Sequence, residues 1–466
     1  MEVNHLGQQN VLDVLGVGFG PANLSIALTL DEAREQEPDL ALSSVFLESR
    51  ERFSWHPNML IEGARIQLSF LKDLVTLRNP RSRFSFLCYL QEKGRLEDFI
   101  NMRNFFPTRT EFDDYYRWVA NRVQDQVRYG QKVIGLEPQI GPDGRVKAIK
   151  VLTRHTRTGD HSEYLARNLV LATGGEPVVP EGVVLREGGR VFHNRDFLTR
   201  VRQQLPHRDA PYRMVVVGSG QSAAEIFQYL FEHYPNAEVT AALRRYAYKP
   251  ADESHFVNRI FHPDAVDFLY SLPAEVRGSI LGTHADTNYS AVDLDLIKEI
   301  YEALYSRKMR DDTRVRIQNL IELRSVTEDD DRAVAHFRSR VDGSQIDLQA
   351  DVVILATGFR RRQRHPLLDA LTPHLELDGS YKYKVDRYYR VACKSNFEPK
   401  IYLQGFCEDT HGLSDTLLSV LPVRSQEILH SMFQQVTDAF QFQARDHGML
   451  DPMEARQPAL VGTSAF

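Results

Sequence analysis

Val11-Leu-Asp-Val-Leu15 runs directly into Gly16-Val-Gly18-Phe-Gly20-Pro21-Ala22-Asn23 and then Leu24-Ser-Ile-Ala-Leu-Thr-Leu30. An apolar run, a glycine turn and a helical pattern in that order read as strand, tight turn and helix. Glycine is required where the chain bends sharply and where backbone approaches a pyrophosphate, which then rests on the N-terminus of the following helix. Gly16 and Gly18 fill the first two such positions, but Pro21 stands where a third glycine belongs. Taken alone, this turn could equally be a plain strand-to-helix loop. The next apolar run, Ser44 to Leu47, ends on Glu48, an acid placed to accept from a ribose hydroxyl. That favours a nucleotide without a 2′-phosphate, such as FAD.

The same grammar returns two hundred residues later. Tyr212 to Val217 leads into Gly218-Ser219-Gly220-Gln221-Ser222-Ala223, with alanine at the permissive third position, and Ala237 to Leu243 ends on Arg244-Arg245. A cation at that strand end suits a 2′-phosphate and hence NADPH; the plainer alternative for Arg244 is a solvated charge. Each turn is followed by a β-meander with turn signals, Gly141-Pro-Asp-Gly144 in the first copy and Asp342-Gly343 in the second. Each meander closes on Ala-Thr-Gly, at 172–174 and 356–358. Two copies in one order indicate an internal duplication. The fold expected is α/β: two Rossmann-like dinucleotide-binding domains with β-meander insertions, plus a small helical substrate-binding layer. The boundaries expected are 1–207 for the first part of an FAD domain and 208–345 for an NADPH domain, with a substrate segment at about 250–310. Residues 346–466 would complete the FAD domain.

The chain has 466 residues, 42% of them hydrophobic and 26% charged, so it can bury more than one core. This excludes disordered, collagen-like and coiled-coil classes. No apolar stretch reaches membrane-spanning length. Met1 to Asn10 is polar and lacks the pattern of a signal peptide, so a cytoplasmic protein is expected. A net charge of -6 gives no reason to expect nucleic acid as a partner. Three cysteines, Cys88, Cys393 and Cys407, supply neither a disulfide framework nor a CxxC pair. Two different nucleotides imply electron transfer between them; with no reactive cysteine pair to reduce, oxygen is the remaining acceptor. No metal site and no Ser/His/Asp triad are expected.

Five further segments carry a specific resemblance: Gln67-Leu-Ser-Phe-Leu-Lys72-Asp-Leu, Lys249-Pro-Ala-Asp-Glu-Ser254, Phe256-Val-Asn258, Asp286-Thr-Asn288-Tyr289-Ser290 and His411-Gly-Leu-Ser-Asp-Thr-Leu-Leu-Ser419. With the first glycine turn, whose proline is normal there, they make the chain similar to the N-hydroxylating flavoprotein monooxygenases, specifically the L-ornithine N5-monooxygenases of siderophore biosynthesis. The departures are Phe359, where a tyrosine commonly follows Ala-Thr-Gly, and an unusually acidic Glu408-Asp409-Thr410.

The resemblance implies N5-hydroxylation of L-ornithine by O2 through a C4a-hydroperoxyflavin, with FAD and NADPH as cofactors. Lysine N6- or diamine N-hydroxylation is the alternative on the same scaffold. It implies FAD contacts from Gly16, Gly18, Glu48, Phe53, Trp55, His56, Gln67, Val133, Thr416, Leu417 and Leu418. NADPH would meet Ser219, Gly220, Gln221, Ser222 and Arg244, with Asn288, Tyr289 and Ser290 on its nicotinamide half. Substrate would meet Lys72, Asn258, Phe261, Asn288 and Ser419, and the family tends to form tetramers. Outside the resemblance, Lys72 could be a surface-turn residue paired with Asp73, and either asparagine a turn or cap residue.

The reaction requires a neutral amine. An alkyl amine with a pKa of about 10.4 costs about 3 kcal/mol to deprotonate near pH 8. A desolvated pocket supplies energy of that order. An apolar lining is therefore expected, with no strong catalytic acid or base.

Overall fold

A computed structural model describes residues 11–37 and 41–433. Met1 to Asn10, and residues 434–466 of the expected second FAD segment, lie outside the described residues. The first sheet contains β1 (Leu12–Val17), β2 (Ser44–Leu47), β3 (Val127–Arg128), β4 (Gln131–Ile140), β5 (Val146–His155) and β6 (His161–Leu171). In space they run β3-β2-β1-β6-β5-β4. A late strand, β15 (Lys400–Leu403), also lies parallel to β6, so the sheet closes with residues from the far end of the chain. Val14, Leu15, Phe46, Leu169 and Leu403 are essentially inaccessible. Continuous apolar runs such as these belong to parallel strands covered on both faces. Helix α1 (Pro21–Gln36), with proline at its first position, packs against α7 (Leu421–Met432).

The second sheet is wholly parallel, in the order β10 (Val315–Gln318), β9 (Glu238–Ala242), β8 (Arg213–Val217), β14 (Val352–Leu355) and β7 (Val191–His193). It extends past the expected bounds of 208–345 at both ends, because β7 and β14 come from outside them. Both are runs of four residues or fewer, too short to carry a periodic signal. The antiparallel meander β11 (Ile321–Glu328), β12 (Ala333–Ser339) and β13 (Gln345–Ala350) stands beside this sheet, with Gly343 in the left-handed turn at φ +75°. In both halves the meander feeds back into a parallel strand alongside the glycine-turn strand: β6 beside β1, and β14 beside β8. The chain crosses between the halves at a two-residue ribbon that pairs Glu176–Pro177 with Phe359–Arg360.

The segment 250–310 is helical, with α4 (Pro263–Ser271), α5 (Ala274–His284) and α6 (Leu294–Lys308). The aromatic-rich stretch before Trp118 forms α2 (Phe86–Glu92) and α3 (Arg109–Arg122), whose Phe86, Phe112, Tyr115 and Tyr116 knit one aromatic core. All three cysteines are free. Among the described residues, no helix is long and apolar enough to cross a membrane, and no three metal-binding side chains converge.

Candidate active site

The two glycine turns are built by the same constraint. Gly18 has φ +83°, and a methyl group there would stand 2.6 Å from the carbonyl oxygen of Ala172. Gly218 has φ +148°, and a methyl there would strike the carbonyl oxygen of Ala356. In each half the turn is thus pressed against the Ala-Thr-Gly that closes the meander. Side chains would break both approaches. The helix that follows each turn begins at a glycine, Gly20 or Gly220, with no side-chain cap, which leaves its first N–H groups available to an anion. Space beside Gly20 is open.

At the first turn, the Glu48 carboxylate accepts the N–H of Phe19 at 2.8 Å and that of Arg50 at 2.9 Å. Asn23 donates to the carbonyl of Gly18 at 2.7 Å. Phe53 is buried against Phe19, and the Trp55 N–H donates to Asp113 at 3.1 Å. His56 has a left-handed backbone at φ 45°, an uncommon conformation for a non-glycine residue. Its ring is solvent-accessible yet crowded by protein, and desolvation, aided by Arg109, Arg50 and Arg361, lowers its pKa to about 4. It is neutral near pH 7. Val133 lies half-buried at a bulge in β4.

At the second turn, Arg244 is exposed and its carbonyl accepts from Arg340 at 3.1 Å, while Arg245 pairs with Asp286 at 3.3 Å. Among the described residues, Arg244 has no ion pair at that strand end. Ser290 (φ 57°) lies against Gly220, 3.4 Å from where a methyl would sit.

The loop from Asp286 to Asp293 joins these parts. Tyr289 donates its hydroxyl to Glu408 and lies 3.1 Å from the Thr416 hydroxyl. Asp293 accepts from Gln67 at 2.7 Å and from Gln221 at 3.1 Å, and its own N–H donates to Gln221 at 2.8 Å. Burial raises its pKa. Gln67 of the first half, Gln221 of the second turn and Thr416 of the C-terminal segment thus meet at one loop. A second tie crosses the halves: Arg109 grips Glu225 with two bonds of 2.9 and 2.7 Å.

Four of the five expected substrate residues present unpartnered polar atoms. Lys72 is half-buried, and desolvation alone lowers its pKa. Asp73 is not its partner, because that carboxylate accepts the N–H groups of Val75, Thr76 and Phe86. Asn258, in the 3-10 turn Val257–Phe261, and Asn288 have no side-chain hydrogen bond among the described residues. The Ser419 hydroxyl is buried and unpaired. Phe261 is half-buried in the same turn as Asn258, and that turn packs against Leu413–Thr416.

Beyond the residues expected to bind, Asp415 and His411 of the His411–Ser419 segment hold the site. Asp415 accepts the Cys407 N–H at 2.7 Å and a bond from buried Arg424 at 3.0 Å, which shapes the turn before Thr416, Leu417 and Leu418. His411 stacks on Tyr389 and shares a 3.1 Å hydrogen bond with the carbonyl of Arg387. Asp293 stands at the N-cap of α6, but its side chain caps nothing there and meets Gln67 and Gln221 instead.

The family described as L-lysine 6-monooxygenase/L-ornithine 5-monooxygenase matches residues 10–361. An L-ornithine N(5)-monooxygenase of Burkholderia cepacia is 40% identical over 87% of this chain and 90% of its own. An ornithine N-hydroxylase of Kutzneria sp. 744, solved with reduced FAD, NADP+ and L-ornithine, superposes with a TM-score of 0.85 at 38% identity, covering 91% of this chain and all of that one. An L-lysine 6-monooxygenase of Pseudomonas syringae gives 0.80 at 32% identity, covering 91% and 99%. The paired glycine turns and the loop that joins them are accordingly those of the L-lysine 6-monooxygenase/L-ornithine 5-monooxygenase family, to which this chain belongs.

Proposed function

We propose that this chain hydroxylates the side-chain amine of L-ornithine with O2, FAD and NADPH, giving N5-hydroxy-L-ornithine for siderophore-type biosynthesis in the cytoplasm. The observation that carries the reading is the set of groups on Lys72, Asn258, Asn288 and Ser419 left without partners among the described residues, beside a loop that ties Gln67 of the first half to Gln221 of the second turn. A zwitterion needs a cation for its carboxylate and mixed donors and acceptors for its ammonium, and this set supplies both. A diamine has no carboxylate to engage Lys72. Ornithine and lysine differ by one methylene, worth about 1–3 kcal/mol of discrimination; the Burkholderia and Kutzneria proteins favour ornithine.

The two cradles fit dinucleotides. At Gly18 and Gly218 the backbone conformation excludes a side chain, and each uncapped helix start offers N–H donors. We assign FAD to the first sheet, completed by β15, and NADPH to the second. Bound together, the cofactors supply the reducing electrons and the activated oxygen. The rest falls to the protein. Lys72 holds the substrate carboxylate; Asn258, Asn288 and Ser419 orient the amino-acid end so that the side chain extends into the cleft. Two acids near the cleft already have partners: Asp293 is held by Gln67 and Gln221, and Glu408 by Tyr289. Neither is free to act as a strong base, and His56, its pKa lowered to about 4, is a weak one, so loss of the amine proton rests on desolvation. Arg244 selects the 2′-phosphate. Following the family's habit, we assign the protein to a homo-oligomer, with a tetramer expected.

The test is hydroxylamine formation from ornithine, lysine and putrescine measured side by side with NADPH oxidation. The reading expects ornithine to dominate kcat/KM; a preference for lysine or putrescine would reassign the substrate.

A further inference from the structure

A cavity of 720 Å³ opens beside the site, with Tyr289, Thr416, Arg361, Arg364 and Lys382 in its lining. Its charges are not balanced. Lys382 pairs with Asp409, Arg362 with Glu176 at 3.4 Å, and Glu408 accepts from Tyr289. Arg361 and Arg364 have no ion pair among the described residues, and both line this cavity. The Arg361 side chain lies between the carboxyl ends of two neighbouring parallel strands. A methyl on Gly175, past the end of β6, would stand 3.4 Å from it, and a methyl on Gly405, past the end of β15, would stand 3.5 Å from its Nε. Its charge reaches His56, Tyr289 and Glu408, which belong to three different segments of the site.

We propose that Arg361 is a nucleotide-binding residue, holding a phosphate of a dinucleotide in the crevice between β6 and β15. In open parallel sheets, ligands lie outside the carboxyl ends of the strands, where this guanidinium stands. A planar fork with five donors matches a phosphate better than any other side chain. Glycine at 175 and at 405 keeps backbone, guanidinium and ligand within contact distance. Arg361 is thus distinct from Arg244, which stands at the end of β9 in the other sheet. The inference rests on the two-nucleotide reading above, and it adds a residue that reading did not contain.

Either dinucleotide could supply the phosphate, and two titrations separate them. In the first, NADP+ is titrated into oxidised holoenzyme and followed by the flavin absorbance; in the second, FAD is titrated into apoenzyme and followed by fluorescence. Arg361→Gln should weaken one of these by about tenfold, the loss of one charge-assisted hydrogen bond, with Arg361→Lys intermediate. Arg324→Gln removes the same charge from a distant surface pair and should change neither. If both affinities stay within twofold in Arg361→Gln while ornithine hydroxylation persists, the inference is overturned and the function stands.

Discussion

The two glycine turns are near-copies in backbone and opposites in charge. Both press a positive-φ glycine against the Ala-Thr-Gly of their own half, and both open an uncapped helix. They differ at the end of the next strand. Glu48 already accepts two backbone N–H groups and serves the turn as well as any ribose, whereas Arg244 has no ion pair among the described residues. In the reading proposed above, backbone shape makes a dinucleotide fit, and one side chain at the strand end decides which. The loop carrying Asn288 to Asp293 belongs to neither copy, and it is there that the halves are joined.

The comparison breaks hardest at the glycines. Gly18→Ala should yield protein purified without flavin, and Gly218→Ala should keep flavin but lose reduction by NADPH by more than about a hundredfold, because strain and a backbone clash add. Flavin absorbance and anaerobic reduction rates read the two effects. Were both variants to lose flavin equally, the turns would not serve separate nucleotides. Next in size, Lys72→Met should raise the KM for ornithine by about 10- to 100-fold, as expected for one charge-assisted contact, with its melting temperature held. A fall in kcat alone would place Lys72 elsewhere. Arg244→Ala should raise the KM for NADPH by about tenfold while leaving that for NADH in place; parallel movement of the two would contradict the 2′-phosphate role.

The last effect is on stability and lies outside the turns. Desolvation lowers the folded pKa of His411 to about 4 from its ordinary 6.5. Above 6.5 neither state binds the proton; below it the unfolded chain does and the folded one does not. Stability should therefore fall as pH drops from 6.5 towards 4, by up to about 1.4 kcal/mol per pH unit for this one group. Urea unfolding of the parent and His411→Gln across that window should show the shallower slope in the variant.

Much of this was legible in the sequence because the decisive features are local. Strand, positive-φ glycine and helix start occupy a dozen consecutive residues, and they recur. Their sheet partners were harder to read: β7 and β14 are short apolar runs whose place in the second sheet depends on pairing with β8 and with each other. The polar scaffold was not readable at all. Asp293 meets Gln67 across 226 positions and Arg109 meets Glu225 across 116, so no local pattern announces either pair. Lys72 shows the converse case. Its neighbour Asp73 looked like an ion-pair partner, and only the fold revealed that this carboxylate is turned inward to backbone N–H groups.

One measurement bears on the central claim most directly: NADPH oxidised and N5-hydroxyornithine formed, counted in the same reaction with purified flavoprotein, O2 and L-ornithine. The account predicts that ornithine increases NADPH oxidation and that hydroxylated product appears in close to equal amount. NADPH oxidation with no N-hydroxylated amine would contradict the function while leaving the paired-nucleotide fold intact.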